Sequence, residues 1–219
     1  MPVEAPNSSP PLPEIRAVIL DYGEVLCFLP TTQDIARFSR LLQMDPKTFL
    51  AIYLQSRRPY DRGDLLPADY WEKFAAQSGA KFDPRDLEEI RQLDVDMWSR
   101  HDNAMIDWIG KIHAAGYKTA ILSNMPSDMV THVRNNFPWI SHFDHHIFSA
   151  DVRSAKPEPA IYQHCMDALG IQPSQALFID DRDENLDQAR AAGLRTLRFE
   201  SVAKLRTDLQ LLGFTVLPQ

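Results

Sequence analysis

The chain has 219 residues, 44% of them hydrophobic, and 30 acids against 23 lysines and arginines leave a formal net charge of −7. That length suits one large α/β domain, or a core that carries a smaller inserted domain. The acidic balance argues against a nucleic-acid partner, and no apolar run is long enough to span a bilayer, so a soluble cytoplasmic protein is expected.

Residues 1–14 are rich in proline, serine and acids and lack an apolar core. They are expected to form a disordered or loosely attached tail, neither a secretory signal nor a transit peptide. The first clear element is Ala17-Val18-Ile19-Leu20, an apolar run that reads as a strand buried on both faces. It ends in Asp21, and Gly23 follows where the chain is expected to turn. An acid at the carboxyl end of a buried parallel strand lies where open α/β sheets place ligands. Alone, it reads equally well as an incidental turn residue.

From Thr31 to about Arg100 no strand is convincing. Ile35, Phe38, Leu41 and Leu42 fall at helical spacing behind a cap at Thr31 or Thr32. Phe49, Ile52 and Tyr53 follow Asp45-Pro46, Trp71, Phe74 and Ala75 follow Pro67, and Leu87, Ile90 and Leu93 follow Asp83-Pro84. Four short amphipathic helices in a row predict a helical bundle over 31–100, inserted into a core of 15–30 and 101–219. Such an insert can close over strand ends and exclude water.

Beyond Asp102 helices and strands alternate. Helices are predicted from Met105 to Ile112, Met129 to Phe137, Ala160 to Leu169, Leu186 to Ala192, and finally to Leu212. Strands are predicted over Lys118–Leu122, near His146–Ser149, over Ala176–Ile179 and over Arg195–Phe199. This rhythm means a Rossmann-like parallel sheet with helices on both faces.

In such a sheet all carboxyl ends lie on one edge, so Asp21, Ser123 with Asn124, Lys156, and Asp180 with Asp181 can meet. Each has a plain local reading: a helix start, a solvated lysine, a helix cap. Together they place three carboxylates against one lysine, a crowding that raises carboxyl pKa values unless a cation is present. Mg²⁺ is the hard divalent ion that suits oxygen ligands and substrate phosphate. A carboxylate beside that ion and a lysine can attack phosphorus, with Ser123 and Asn124 donating to the phosphoryl oxygens.

Four strings, Asp21-x-Gly23-x-Val25-Leu26, Leu122-Ser123-Asn124, Lys156-Pro157-Glu158-Pro159 and Ile179-Asp180-Asp181-x-x-x-Asn185, resemble the four motifs of haloacid dehalogenase-like hydrolases. The resemblance covers all but the tail, extends to a helical cap between the first two motifs, and is closest to Asp-x-Gly-x-Val phosphatases of the sugar-phosphate kind. It implies that Asp21 is the nucleophile that becomes an aspartyl phosphate, that Ser123, supported by Asn124, binds the phosphoryl group, and that Lys156 neutralises charge. It also implies a Mg²⁺ site made by Asp21, the Gly23 carbonyl, Asp181 and Asp180, with Asn185 bracing the loop. The substrate implied is a small phosphorylated metabolite; monomer or homodimer is left open.

Most phosphatases that the chain resembles carry a second aspartate, as acid and base, where this sequence has Gly23. Proton transfer, typically worth about 10²–10⁴-fold, must then come from Glu24 or water, or be dispensed with for a substrate that carries a good leaving group. The alternatives are a 2-haloacid dehalogenase, whose leaving halide needs no acid, and a non-catalytic metabolite-binding scaffold. A loop over Arg57–Gly63 is expected to dip toward substrate through Tyr60 or Arg62. The run His142–His146 reads as a polar loop rather than a metal cluster, Trp71, Trp98 and Trp108 read as core, and Cys27 and Cys165 as a reduced pair.

Overall fold

The computed structural model describes residues 14–80 and 82–219; nearly all of the expected tail lies outside them. Five strands form one sheet in the order β3-β2-β1-β4-β5. They are β1 (Ala17–Leu20), β2 (Lys118–Ser123), β3 (His145–Phe148), β4 (Ala176–Asp180) and β5 (Arg195–Arg198). Every pairing is parallel, with Leu20 beside Ile121 on one side and Ile179 on the other. The α/β class and the parallel sheet expected from the alternation are both present.

β1 is central and wholly buried because it divides its side chains between two cores. Val18 and Leu20 pack with Ile109 and Ile112 of α5 (Asn103–Ala114) and with Leu205 and Leu209 of α10 (Val202–Leu211). Ala17 and Ile19 pack with Ile161 and Cys165 of α8 (Pro159–Leu169) and with Leu186 of α9 (Asp183–Ala191). The chain leaves β1 toward β2 and β3 but leaves β4 toward β5. The strand order therefore reverses between β1 and β4, where an open sheet has its crevice.

Four helices follow β1: α1 (Thr32–Leu41), α2 (Pro46–Asp61), α3 (Pro67–Ser78) and α4 (Leu87–Met97). Thr31 caps α1 in a reciprocal box with Asp34, and Asp45 caps α2 by accepting from the Thr48 N–H at 2.9 Å. Phe38, Phe49, Tyr53, Trp71, Phe74 and Ile90 form a third core belonging to these helices alone.

The expected loop over Arg57–Gly63 is absent, because α2 runs through Pro59 to Asp61. A proline removes one helical donor, but the turn is held from both sides. The Arg62 and Asp64 N–H groups donate to the Arg58 and Pro59 carbonyls, and Tyr60 stacks on Tyr70 with centroids 4.3 Å apart.

The insert's helices are fastened to the core at α6 (Ser127–Asn136) and at the single-turn α7 (Ser149–Val152). Arg91 grips Asp128 of α6 through two contacts of 2.8 Å. At the end of α2, Arg62 pairs with Glu158 at 3.1 Å, and the Ser149 hydroxyl of α7 donates to the Asp61 carbonyl. Gly63, at φ 82°, passes so close to Ala150 that an added Cβ would lie 2.8 Å from its carbonyl oxygen. Only glycine fits both the angle and the gap.

Candidate active site

Asp21 continues β1, its N–H donating to the Ile179 carbonyl of β4 at 3.0 Å, so it stands beside Asp180. Lys156 Nζ reaches both, 2.7 Å from Asp21 Oδ1 and 2.7 Å from Asp180 Oδ2. Asp180 is fully enclosed and its oxygens are taken. The Arg182 N–H donates to Oδ1 at 2.8 Å, and Asn185 Nδ2 lies 3.0 Å from each oxygen. Asp180 thus anchors the lysine, and Asn185 braces the loop. Asp181, half-buried, faces the cleft.

One carboxylate oxygen from each of Asp21, Asp180 and Asp181 lies within 4.8 Å of the others, the one such group of potential metal ligands among the described residues. Burial, reinforced by Asp180, pushes the Asp21 carboxyl up to about 6 despite the lysine. Burial and the charges of Asp21 and Asp180 push Asp181 up to about 7. Burial works against the Lys156 ammonium, yet the two carboxylates outweigh it and hold its pKa above the ordinary lysine value. Three acids and one ammonium leave a surplus of negative charge, and an oxygen-lined site with that surplus fits a hard divalent cation.

These groups lie in a cleft of about 780 Å³ between the sheet edge and the insert. Ser123 closes β2 inside it, almost fully buried. Asn124 lines it too, but its side chain is engaged: Nδ2 donates to the Lys156 carbonyl at 2.9 Å, and Oδ1 accepts from the Lys156 N–H at 2.7 Å. Expected on the phosphate, this amide instead positions the lysine. Gly23 lines the cleft and is not the strained residue of the turn. That is Glu24, at φ 58°, while a Cβ on Gly23 would meet nothing within 4 Å. Backbone geometry therefore does not require glycine there.

Tyr60 and Arg62 do not line the cleft. Tyr60 is buried under Tyr70 with its hydroxyl toward Asp128, and Arg62 is held by Asp64 and Glu158. Continuation of the helix through Pro59 turns both away. The insert instead contributes Tyr53, Leu54, Arg57, Arg58 and Trp98. Trp98, expected in the core, is a wall of the cleft, whereas Trp71 and Trp108 are fully buried. Arg57 is pinned between Asp61 and Asp94 at 2.7 Å each. A trace of this cluster is visible in the sequence, where Asp94 interrupts the apolar face of α4 between Leu93 and Val95. Both cysteines are free and buried, and His145 and His146 belong to β3. No helix among the described residues is long and apolar enough to cross a membrane.

The profile of haloacid dehalogenase-like hydrolases matches residues 13–193. The chain belongs to that family. Among haloacid dehalogenase-like relatives, an (S)-2-haloacid dehalogenase of Pseudomonas is 29% identical over 144 residues, 63% of each chain. A phosphoglycolate phosphatase of Salmonella typhimurium is 30% identical over 87 residues, 40% of this chain and 34% of that one. The match thus spans less than two thirds of either relative. A haloacid dehalogenase family enzyme of Bacteroides thetaiotaomicron, solved with magnesium and inorganic phosphate, superposes with a TM-score of 0.70. It is 24% identical, over 85% of this chain and 94% of that one. The family membership and fold that the four motifs led one to expect are both borne out.

Proposed function

We propose that the protein is a Mg²⁺-dependent phosphatase that hydrolyses a small phosphorylated metabolite through a phosphoryl-Asp21 intermediate. The observation that carries this reading is the surplus of buried carboxylate around a single lysine, at the crevice where the strand order reverses. Asp21 Oδ1 accepts from the Tyr22 N–H and from Lys156, each at 2.7 Å, which fixes the carboxylate and leaves Oδ2 for a bond to phosphorus. Attack forms the Oδ2–P bond and breaks the ester P–O bond. The departing alkoxide takes a proton from Glu24 at the cleft edge or from water. Water, giving its proton to the Glu24 carboxylate or hydroxide left by the first step, then attacks phosphorus; the Oδ2–P bond breaks, and Asp21 leaves as a carboxylate. Lys156 offsets the charge on Asp21 and the phosphoryl oxygens, and Ser123 donates to those oxygens as their charge grows. Asp21, Asp181 and the Gly23 carbonyl would hold the cation directly, with Asp180, whose oxygens are taken by Lys156, Arg182 and Asn185, acting through water; when bound, the cation supplies Lewis-acid stabilisation of the phosphoryl group.

The test is phosphate release from a panel of phosphorylated metabolites with Mg²⁺ and with a chelator. Release should need Mg²⁺ and vanish in Asp21→Asn; release unchanged in that variant refutes the assignment. Gly23 favours one rival reaction, displacement of halide from carbon by the same Asp21, since halide needs no proton. Chloride release from 2-chloropropionate that ignores the chelator would establish that reading instead.

A further inference from the structure

The insert side of the cleft has a wall whose polar atoms bond to one another. The Tyr22 hydroxyl donates to the Trp98 carbonyl at 2.5 Å. Trp98 Nε1–H donates to the Tyr53 hydroxyl at 3.0 Å, which donates to Asp94 Oδ1 at 2.6 Å. Asp94 also takes Arg57, whose guanidinium lies 4.7 Å from the centre of the Tyr53 ring. Met125, Met129 and the exposed Leu54 line the same cleft, so with the rings of Tyr53 and Trp98 it offers carbon surface to whatever lies against it.

The charges follow the same pattern. Every cation lining the cleft is already paired among the described residues: Lys156 with Asp21 and Asp180, Arg57 with Asp61 and Asp94, Arg58 with Glu158, Arg182 with Glu184. Five carboxylates line the same cleft: Asp21, Glu24, Asp61, Asp181 and Glu184. One divalent cation answers the phosphoryl group and its neighbours, and no enclosed positive charge remains for a second anion, since the Arg58 and Arg182 side chains stand at the rim, 66% and 61% exposed. A carboxylate on the leaving group would be desolvated beside Asp61 and Glu24 without a counter-charge.

We infer that this cleft selects phosphomonoesters whose leaving group is uncharged and lays a carbon face on the Tyr53–Trp98 wall, and rejects those with a second negative charge. This rests on the phosphatase reading for the place of the phosphoryl group but concerns the other half of the cleft.

Stable phosphonates test it without turnover. Benzylphosphonate and 4-carboxybenzylphosphonate are titrated calorimetrically into the full chain with Mg²⁺. The uncharged ligand should bind at least about tenfold more tightly, because a desolvated charge left unpaired costs about that much or more. Leu54→Arg places a new cation at an exposed lining position (61% exposed) and should cut that preference about tenfold or invert it. Equal affinity, tighter binding of the carboxylated ligand, binding of neither, or an unchanged preference in Leu54→Arg would overturn the inference. Phosphate release from phenyl phosphate is followed in parallel. Selective phosphonate binding without release would refute the phosphatase reading and leave the selectivity standing.

Discussion

Replacing the nucleophile should make the metal-free protein more stable. The Asp21 carboxyl is held at about 6 instead of the usual 3.8, so keeping it ionised in the fold costs about 3 kcal/mol at about 1.4 kcal/mol per pKa step. In Asp21→Asn the amide oxygen still accepts from Lys156 and Tyr22, but more weakly than a carboxylate, which takes back about 1 kcal/mol. The net gain is about 2 kcal/mol, or about 4–8 °C in Tm for a domain of this size. The pH dependence gives the sign. A raised folded pKa means that the folded chain keeps a proton the unfolded chain releases, so stability falls as pH rises from about 4 to about 6. Above that window the penalty is complete, and below it absent. Calorimetric scans of wild type and Asp21→Asn in chelator should therefore differ at pH 8 and converge at pH 4. Saturating Mg²⁺ should erase or reverse the difference, because the wild-type carboxylate then has its cation. A variant less stable than wild type at pH 8 in chelator would show that Lys156 already satisfies Asp21, and the argument for a metal would fail.

Lys156→Met should destabilise the fold by about 3–5 kcal/mol in urea titrations, because Asp21 and Asp180 would face each other without the ammonium. Asn124→Ala removes both side-chain bonds to the Lys156 backbone and should cost about 1–3 kcal/mol. It should lower kcat with little change in KM, since the lysine shifts while the cleft wall stays intact. Gly23→Asp has open space for its side chain and should fold normally. It should quicken hydrolysis of alkyl phosphates, with their poor leaving groups, by about 10²-fold or more. The added charge should also lower Tm in chelator, and a variant no faster than wild type on alkyl phosphates would show that the acid is supplied elsewhere.

The strands and their polar ends were legible because a buried parallel strand leaves a continuous apolar run, and the residue closing it lies on the functional edge. Asp21, Ser123 and Asp180 could be placed on those grounds. Lys156 follows no strand directly and reads only as a loop end before α8, so its role comes from the motif it opens. Tyr60 and Arg62 were misplaced because Pro59 carries the local signature of a break, while the packing that carries the helix past it involves Tyr70 and Glu158. The turn expected at Gly23 is present, but its positive φ falls on Glu24, a residue type that gives no sign of it. The wall of Tyr53, Arg57, Asp94 and Trp98 joins residues 41 and 37 positions apart, and no periodicity reports such pairings.

Glu158 lies two residues beyond the lysine that holds the nucleophile, and it also receives Arg62 and Arg58 from the end of α2. Only Pro157 separates the residue that seats the end of α2 from the residue that holds Asp21, so the footing of the helical insert and the footing of the nucleophile are built from one short stretch of chain.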